Sequence, residues 1–418
     1  MTVEITTLSN GLRVATDRMA DLETAAVGVW VDVGARDEAA DVNGISHMLE
    51  HMAFKGTERR SALQIAEEIE AVGGHLNAYT SREQTAYFAR ILKNDLPLAV
   101  DILADILQNS TFAEEELERE RTVIIQEIGQ TKDTPDDLVF EYFQEAAYPD
   151  QPLGRSILGT EELVSGFSRN TLQGHMDTHY RGPGMVLAAA GGIEHEALVE
   201  LASQAFDSLP ASASNQVNKA SYQGGEYYEV RPLEQVHYLM GFEGLPYEDD
   251  DFYAAQILAT VLGGGMSSRL FQEIRERRGL AYSVFAFSSS YVDSGNFGVY
   301  AGTAEGDVEE LVPVLCDEIT RAAVDINEEE TSRARAQHKA GIMMGLEAAG
   351  ARTEHMGRQL QVYGRVIPPA ELVAEIDKVD AAALRRVVAR IMKTPLTVAA
   401  LGPINKLEGR QKTADRFS

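Results

Sequence analysis

Cysteine is nearly missing from this 418-residue chain: Cys316 stands alone, so no intrachain disulfide can form and nothing calls for an oxidising compartment. Its neighbours Val312, Leu315 and Ile319 fit the buried face of a helix, so Cys316 is expected in a core and not as a nucleophile. Basic residues are also in deficit. Against 65 Asp and Glu there are 37 Lys and Arg, a formal net charge of -28 that repels phosphate backbones and anionic lipid. Nucleic acid is thereby excluded as a natural partner, while a basic peptide would suit the field. No apolar run approaches the roughly 20 residues that a membrane-spanning helix needs, so no membrane partner is expected. The opening Met1-Thr2-Val3-Glu4-Ile5 leads into a strand-like pattern, without an Arg/Lys-led apolar segment or an Arg/Ser-rich transit segment. The expectation is a cytoplasmic, bacterial protein; a mature organellar matrix protein cut free of its presequence would read the same.

What is present is ordinary for a globular chain: 44% apolar and 24% charged residues, with a length that exceeds a single core and implies two domains. Strand patterns are expected over Thr7 to Val14 and Ala25 to Val33. Helices follow over about Gly44 to Phe54 and from an N-cap at Ser61 to about Val72, then strands around His75 to Thr80 and Gln84 to Leu92. Long helical patterns cover Pro97 to Leu107 and Ala113 to Thr131. The polar stretch Ala211-Ser212-Ala213-Ser214-Asn215-Gln216 has too little apolar surface to pack. It is expected to mark a linker, 211–222, between modules 1–210 and 223–418. The second half repeats the order of the first, with strands from Glu226 to Phe242, a helix from about Asp251 to Leu262, and strands around Tyr282 to Ser289 and Gly295 to Thr303. The fold class predicted is α+β: two similar α/β modules, each a mostly antiparallel sheet packed with helices and related by internal duplication. The helix Tyr253-Ala254-Ala255-Gln256-Ile257-Leu258 of the second half has no His or Glu, so metal chemistry belongs to the first.

That chemistry centres on His47-Met48-Leu49-Glu50-His51. Residues four apart on a helix stand above one another, so His47 and His51 can offer two imidazoles to one ion at about 2.0–2.1 Å. Glu50 borders the same face, where a general base for a water would stand. The order H-x-x-E-H is a recognised reversal of H-E-x-x-H. A control lies within the chain: His175 and His179 are also four apart, but Asp177 points to the far side of their helix, and that pair reads as structural. A catalytic zinc needs a third protein ligand. Glu120 and Glu127, seven apart on one helical face, can both look toward one site, yet periodicity does not choose Glu127 over Glu114 or Glu116. Gly263-Gly264-Gly265 opens toward a helix but lacks the G-K-[ST] ending of a phosphate loop.

The run Gly44 to Thr57, the E-R-x-V-I-x-x-E-I pattern ending at Ile128 and Asp133-x-Pro135 resemble the M16 peptidases, the inverzincin group that includes mitochondrial processing peptidase and insulin-degrading enzyme. The resemblance covers nearly the whole chain and is to the short, two-module bacterial type and the processing-peptidase β subunit. It implies a zinc metalloendopeptidase with one Zn2+ per chain, held by His47, His51 and Glu127, with Glu50 as base and Glu120 orienting a ligating imidazole. It further implies that Asn77, Ala78 and Tyr79 lie on an exposed strand that binds peptide by strand addition, with Asn77 at the scissile carbonyl. Arg275 and Tyr282 would donate to the oxyanion, and the glycine-rich loop would lie near a closed substrate chamber. Because this chain carries both residue sets, the implied assembly is a homodimer whose active sites are completed by the partner subunit. Other roles within such a family are a processing-peptidase-like subunit that needs an unlike partner, and a non-catalytic scaffold or peptide-binding subunit.

Overall fold

The computed structural model of the protein describes residues 2–212 and 219–417. The first sheet contains β1 (Val3–Thr7), β2 (Arg13–Arg18), β3 (Thr24–Val31), β4 (His75–Thr80), β5 (Thr85–Leu92) and β6 (Met185–Gly191), in the order β1-β2-β6-β3-β5-β4. Every pairing is antiparallel except β2 with β6. The second contains β7 (Gly225–Val230), β8 (Val236–Glu243), β9 (Ala281–Ser290), β10 (Gly295–Thr303) and β11 (Thr397–Gly402), in the order β7-β11-β8-β10-β9. Here too one pair, β11 with β7, is parallel and the rest are antiparallel. The two sheets therefore share one topology, with β1 added to the first, and the expected pair of mostly antiparallel α/β modules is what the chain forms.

Expected elements differ from observed ones mainly at turns. Thr7 to Val14 is not one strand: β1 and β2 form a hairpin around Asn10 and Gly11, where Gly11 has φ +89°. An Asn-Gly pair is a strong turn signal because both residues tolerate left-handed backbone, and here it outweighs the alternating pattern. The strands expected from Glu226 to Phe242 are β7 and β8. Ser61 caps its helix as expected: its hydroxyl accepts from Gln64 N, and the Gln64 side chain returns the bond. Cys316 is buried, and burial pushes its thiol up to about 12.

The described residues group into two compact units, but not by a single cut. The first comprises Met1–Gly129, Arg155–Asn218 and Met343–Pro369; the second comprises Gln130–Gly154, Lys219–Ile342 and Ala370–Ser418. The division expected at 211–222 differs from this by two exchanged segments, and residues 213–218 of that linker lie outside the described residues. The physical reason is that each sheet is apolar on both faces. In the first unit one face packs on α1 (Ile45–Ala53) and α2 (Leu96–Gln108), while the other presents Ala15, Trp30, Ala86, Val186, Ala188 and Ala190. A helix from late in the chain, Ala349–Tyr363, covers that face with Met356 and Leu360. In the second unit Pro135–Ala147 does the same, placing Val139 and Phe143 against Leu239, Tyr300 and Ala399.

Candidate metal centre

α1 starts at Gly44, whose φ is +96° and where an added Cβ would lie 2.8 Å from Gly159 Cα and Leu158 O, so glycine is required twice over. Ile45, Met48, Leu49, Met52 and Ala53 are buried in the core of the first unit. With 3.6 residues per turn, that leaves His47, Glu50 and His51 on the remaining face. The second helix of the site, Glu114–Lys132, buries Leu117, Ile124 and Ile128 in the same core. It brings Glu120 and Glu127, two turns apart, up to α1.

Nε2 of His47 and Nε2 of His51 each lie 3.6 Å from the same oxygen, Glu127 Oε2. The imidazole centroids are 4.7 Å apart. These residues are the group of three His, Cys, Asp or Glu side chains, among the described residues, whose ligand atoms all fall within 4.8 Å of one another. Donors around a tetrahedral zinc with bonds of 2.0–2.1 Å stand about 3.4 Å apart, so the spacing fits such an ion. The chemistry of the donors fits as well. Burial, with the neighbouring His51 adding to it, lowers the His47 pKa to about 4, so its ring is neutral and its lone pair free at pH 7. His51 Nδ1 is 3.0 Å from Glu120 Oε2, a bond that fixes the tautomer and leaves the Nε2 lone pair able to bind a metal. Lys55 Nζ, 2.7 Å from Glu120 Oε1, holds that buried carboxylate from its other side.

Glu50 accepts from Thr80 Oγ1 at 2.6 Å. Burial raises its pKa, with the negative charge of Glu127 adding to the rise and the Thr80 hydroxyl opposing it. A carboxyl raised in this way is a stronger proton acceptor than an ordinary one. Thr80 was not anticipated as part of the site, although period-two alternation places it on the same face of β4 as Leu76 and Ala78.

β4 is the free edge of its sheet. Ser81 N donates to Gln84 O at the hairpin, so the hydrogen-bonded pairs below it are Tyr79 with Ala86 and Asn77 with Phe88. The backbone groups of Leu76, Ala78 and Thr80 therefore face outward. Of the three residues expected to hold peptide, Ala78 presents its backbone to the open edge. Asn77 Oδ1 accepts from Ala78 N at 2.9 Å, standing where the carbonyl of an added strand would be. Tyr79 turns to the opposite face, where its hydroxyl donates to Glu354 Oε1 at 2.6 Å and receives Trp30 Nε1–H at 3.3 Å.

In the second unit, Arg275 lies in the π-helical stretch Phe271–Arg277. Its Nη1 donates to Tyr282 O at 2.9 Å, and its guanidinium carbon sits 4.3 Å from the Tyr282 ring centroid and 4.7 Å from that of Phe271. Arg275 and Tyr282 are thus in contact with each other, and Tyr282 is well exposed. Of the three glycines preceding them, Gly263 and Gly264 pack closely, while Gly265 has nothing within 4 Å of an added Cβ. A Cβ on Gly263 would fall 2.2 Å from Ala286 N, and one on Gly264 would fall 2.6 Å from Thr260 Cα. His175, buried and with its pKa lowered to about 3 by burial and then by His179, contacts Ser46 Oγ at 3.2 Å. The second histidine pair thus lies behind α1.

Comparison with known proteins agrees with this architecture. Residues 13–161 match the family model "Insulinase (Peptidase family M16)", and residues 166–338 match "Peptidase M16 inactive domain". An uncharacterized zinc protease of Rickettsia felis is 43% identical over 97% of this chain and 98% of that protein. A probable mitochondrial-processing peptidase subunit beta of Arabidopsis thaliana is 40% identical over 98% of this chain and 80% of that protein. A protease from Helicobacter pylori, solved by crystallography, superposes with a TM-score of 0.88 at 22% identity, covering 96% of this chain and 99% of that one, and so shares the fold. Two imidazoles and a carboxylate converging beside Glu50, on a chain matched nearly end to end by zinc proteases, make this protein a member of peptidase family M16.

Proposed function

We propose that this peptidase is a zinc-dependent endopeptidase acting on extended peptides, with His47, His51 and Glu127 as the metal ligands. The observation that carries the reading is the meeting of both Nε2 atoms at one Glu127 oxygen, with Glu50 on the same helical face. A zinc ion held there supplies a Lewis acid that makes water nucleophilic at neutral pH. Glu50 takes the proton of the attacking water and delivers it to the leaving amine, and Thr80 holds the carboxylate in place between those transfers. Ala78 donates its edge N–H to the peptide main chain once Asn77 Oδ1 releases it, so recognition is of backbone more than of side chains. Arg275 and Tyr282 donate to the oxyanion, supplied to each site by the partner subunit of a homodimer. The formal charge of -28 favours basic peptides.

The test is cleavage of an internally quenched peptide by the zinc-loaded protein, repeated after chelation and after zinc is restored. Loss and recovery of cleavage support the reading, and turnover unaffected by complete metal removal refutes it. Matched Arg-rich and Glu-rich peptides test the charge preference, and equal rates would remove it. The 40% identity to a processing-peptidase β subunit supports a second reading, in which an unlike partner is required. Cleavage by the purified chain alone refutes that alternative.

A further inference from the structure

The two histidines are not held alike. His51 is fixed through its ring, because Glu120 takes its Nδ1 proton. His47 Nδ1 is buried with no hydrogen-bond partner among the described residues. With no hydrogen bond on that side of the ring, the direction of His47 is set by packing and by its backbone, in the first turn of α1. That turn cannot cap itself: Gly44 has no side chain to offer, and no acidic residue occupies the first turn.

The cap arrives from outside the helix. Glu38, 3% exposed, accepts from Gly44 N through Oε2 at 2.7 Å and from Ser46 N through Oε1 at 2.8 Å. Asn43 Nδ2 adds a third bond at 2.8 Å and also donates to Ser156 O at 3.0 Å, and Arg155 Nη2 donates to the main-chain oxygen of Glu38. Both carboxylate oxygens thus receive N–H donors that a helix would otherwise leave unpaired, at the end where the helix dipole favours negative charge. Burial pushes this carboxyl upward, and the same donors oppose the rise by binding the ionised form.

We infer that Glu38 is a positioning residue of the metal centre: as the cap of α1 it sets the direction of His47, as Glu120 sets that of His51. The inference rests on reading His47, His51 and Glu127 as the zinc ligands. It assigns two independent devices to two chemically identical ligands, one acting on the ring and one on the backbone. Ser46, bonded to Glu38 through its N–H and touching His175 through its hydroxyl, seats the turn against the Arg169–His179 helix.

The test is zinc affinity, read by competition with a chromophoric chelator, in Glu38→Gln and in a control, Ser61→Ala, which removes the cap of a helix that carries no ligand. Glu38→Gln keeps the volume but turns an N–H donor toward an N–H donor. Zinc binding should weaken by about 10–100-fold, the effect typical of losing a partner that orients a ligand, and amide exchange at Ser46 and His47 should quicken. Ser61→Ala should lower the melting temperature and leave zinc affinity within about twofold of the parent, since its cap touches no metal ligand. Zinc affinity unchanged in Glu38→Gln, or weakened equally in Ser61→Ala, would overturn the assignment. A parent protein that binds no zinc would overturn the ligand reading beneath it as well, so the two failures are told apart.

Discussion

Glu50 is separated from the proposed ligand His51 by a single peptide bond, yet its environment is its own: half-buried, raised in pKa, and tied to the hydroxyl of Thr80. Replacing it by Gln preserves shape and removes the proposed base. Peptide turnover should then fall by about 10²–10⁴-fold, the usual worth of general-base catalysis, with zinc affinity unchanged. Turnover equal to the parent would show that the proton goes elsewhere. A second residue-scale expectation concerns pH. His47, lowered to about 4 in the folded protein, is neutral where the unfolded chain already takes up a proton near 6.5. Between those values the unfolded state binds more protons, so this group removes stability as pH falls. Half-buried carboxyls such as Asp37, raised to about 7, act in the opposite sense, so a comparison is needed. In metal-free protein, His47→Asn should lose less stability than the parent between pH 7 and pH 5, and an identical loss in thermal denaturation would contradict the assignment. His47, Glu50 and His51 were legible from sequence because helical period alone stacks them. Glu127 was legible through the motif, since periodicity left Glu114 and Glu116 open. Glu38 and Thr80 were not, because their roles arise when a turn and a strand are folded against α1.

At the scale of the element, β4 makes the sharpest case. The Ala78 N–H points to the open edge, whereas the Tyr79 N–H faces the β5 side, where Tyr79 pairs with Ala86. Proline is tolerated on an edge strand where the lost N–H faced solvent, and is costly where it breaks the ladder. Ala78→Pro should keep the melting temperature within a few degrees of the parent while raising KM for peptide, and Tyr79→Pro should destabilise the fold itself. If Ala78→Pro bound and cleaved peptide normally, strand addition at this edge would be wrong. Strands β3 to β5, α1 and the Ser61 cap were all close to their expected positions, because burial pattern and local capping agree there. The β1–β2 hairpin was misread because alternation was followed across Asn10-Gly11, where turn chemistry governs.

At the scale of the whole molecule, what the sequence concealed is the exchange of helices. Pattern shows that a helix has an apolar face but not which sheet it covers, and Ala349–Tyr363 covers a sheet whose last strand, β6, ends at Gly191, 158 residues earlier in the chain. Gly357 marks how close the fit is, since an added Cβ would lie 2.2 Å from Trp30 Cδ2. Gly357→Ala should cost about 1–3 kcal/mol through overpacking and shift the fluorescence of Trp30, the single tryptophan. An unchanged melting temperature would mean the contact is loose. The proposed dimer is tested by mixing Glu50→Gln with Arg275→Ala, each expected to be nearly inactive alone. If sites are completed across subunits, half the dimers in a statistical mixture gain one working site of two, restoring about a quarter of parental activity. No recovery after subunit exchange would refute that arrangement.

The central claim is that one zinc per chain, on His47, His51 and Glu127, is what permits amide cleavage. Titrating metal-free protein with zinc while following both bound metal and peptide turnover tests it most directly. Activity should rise in proportion to bound zinc and stop at one equivalent, with Glu50→Gln taking up the same equivalent and staying silent. Full turnover before any zinc is bound would contradict the account, as would saturation with zinc and no turnover in the parent.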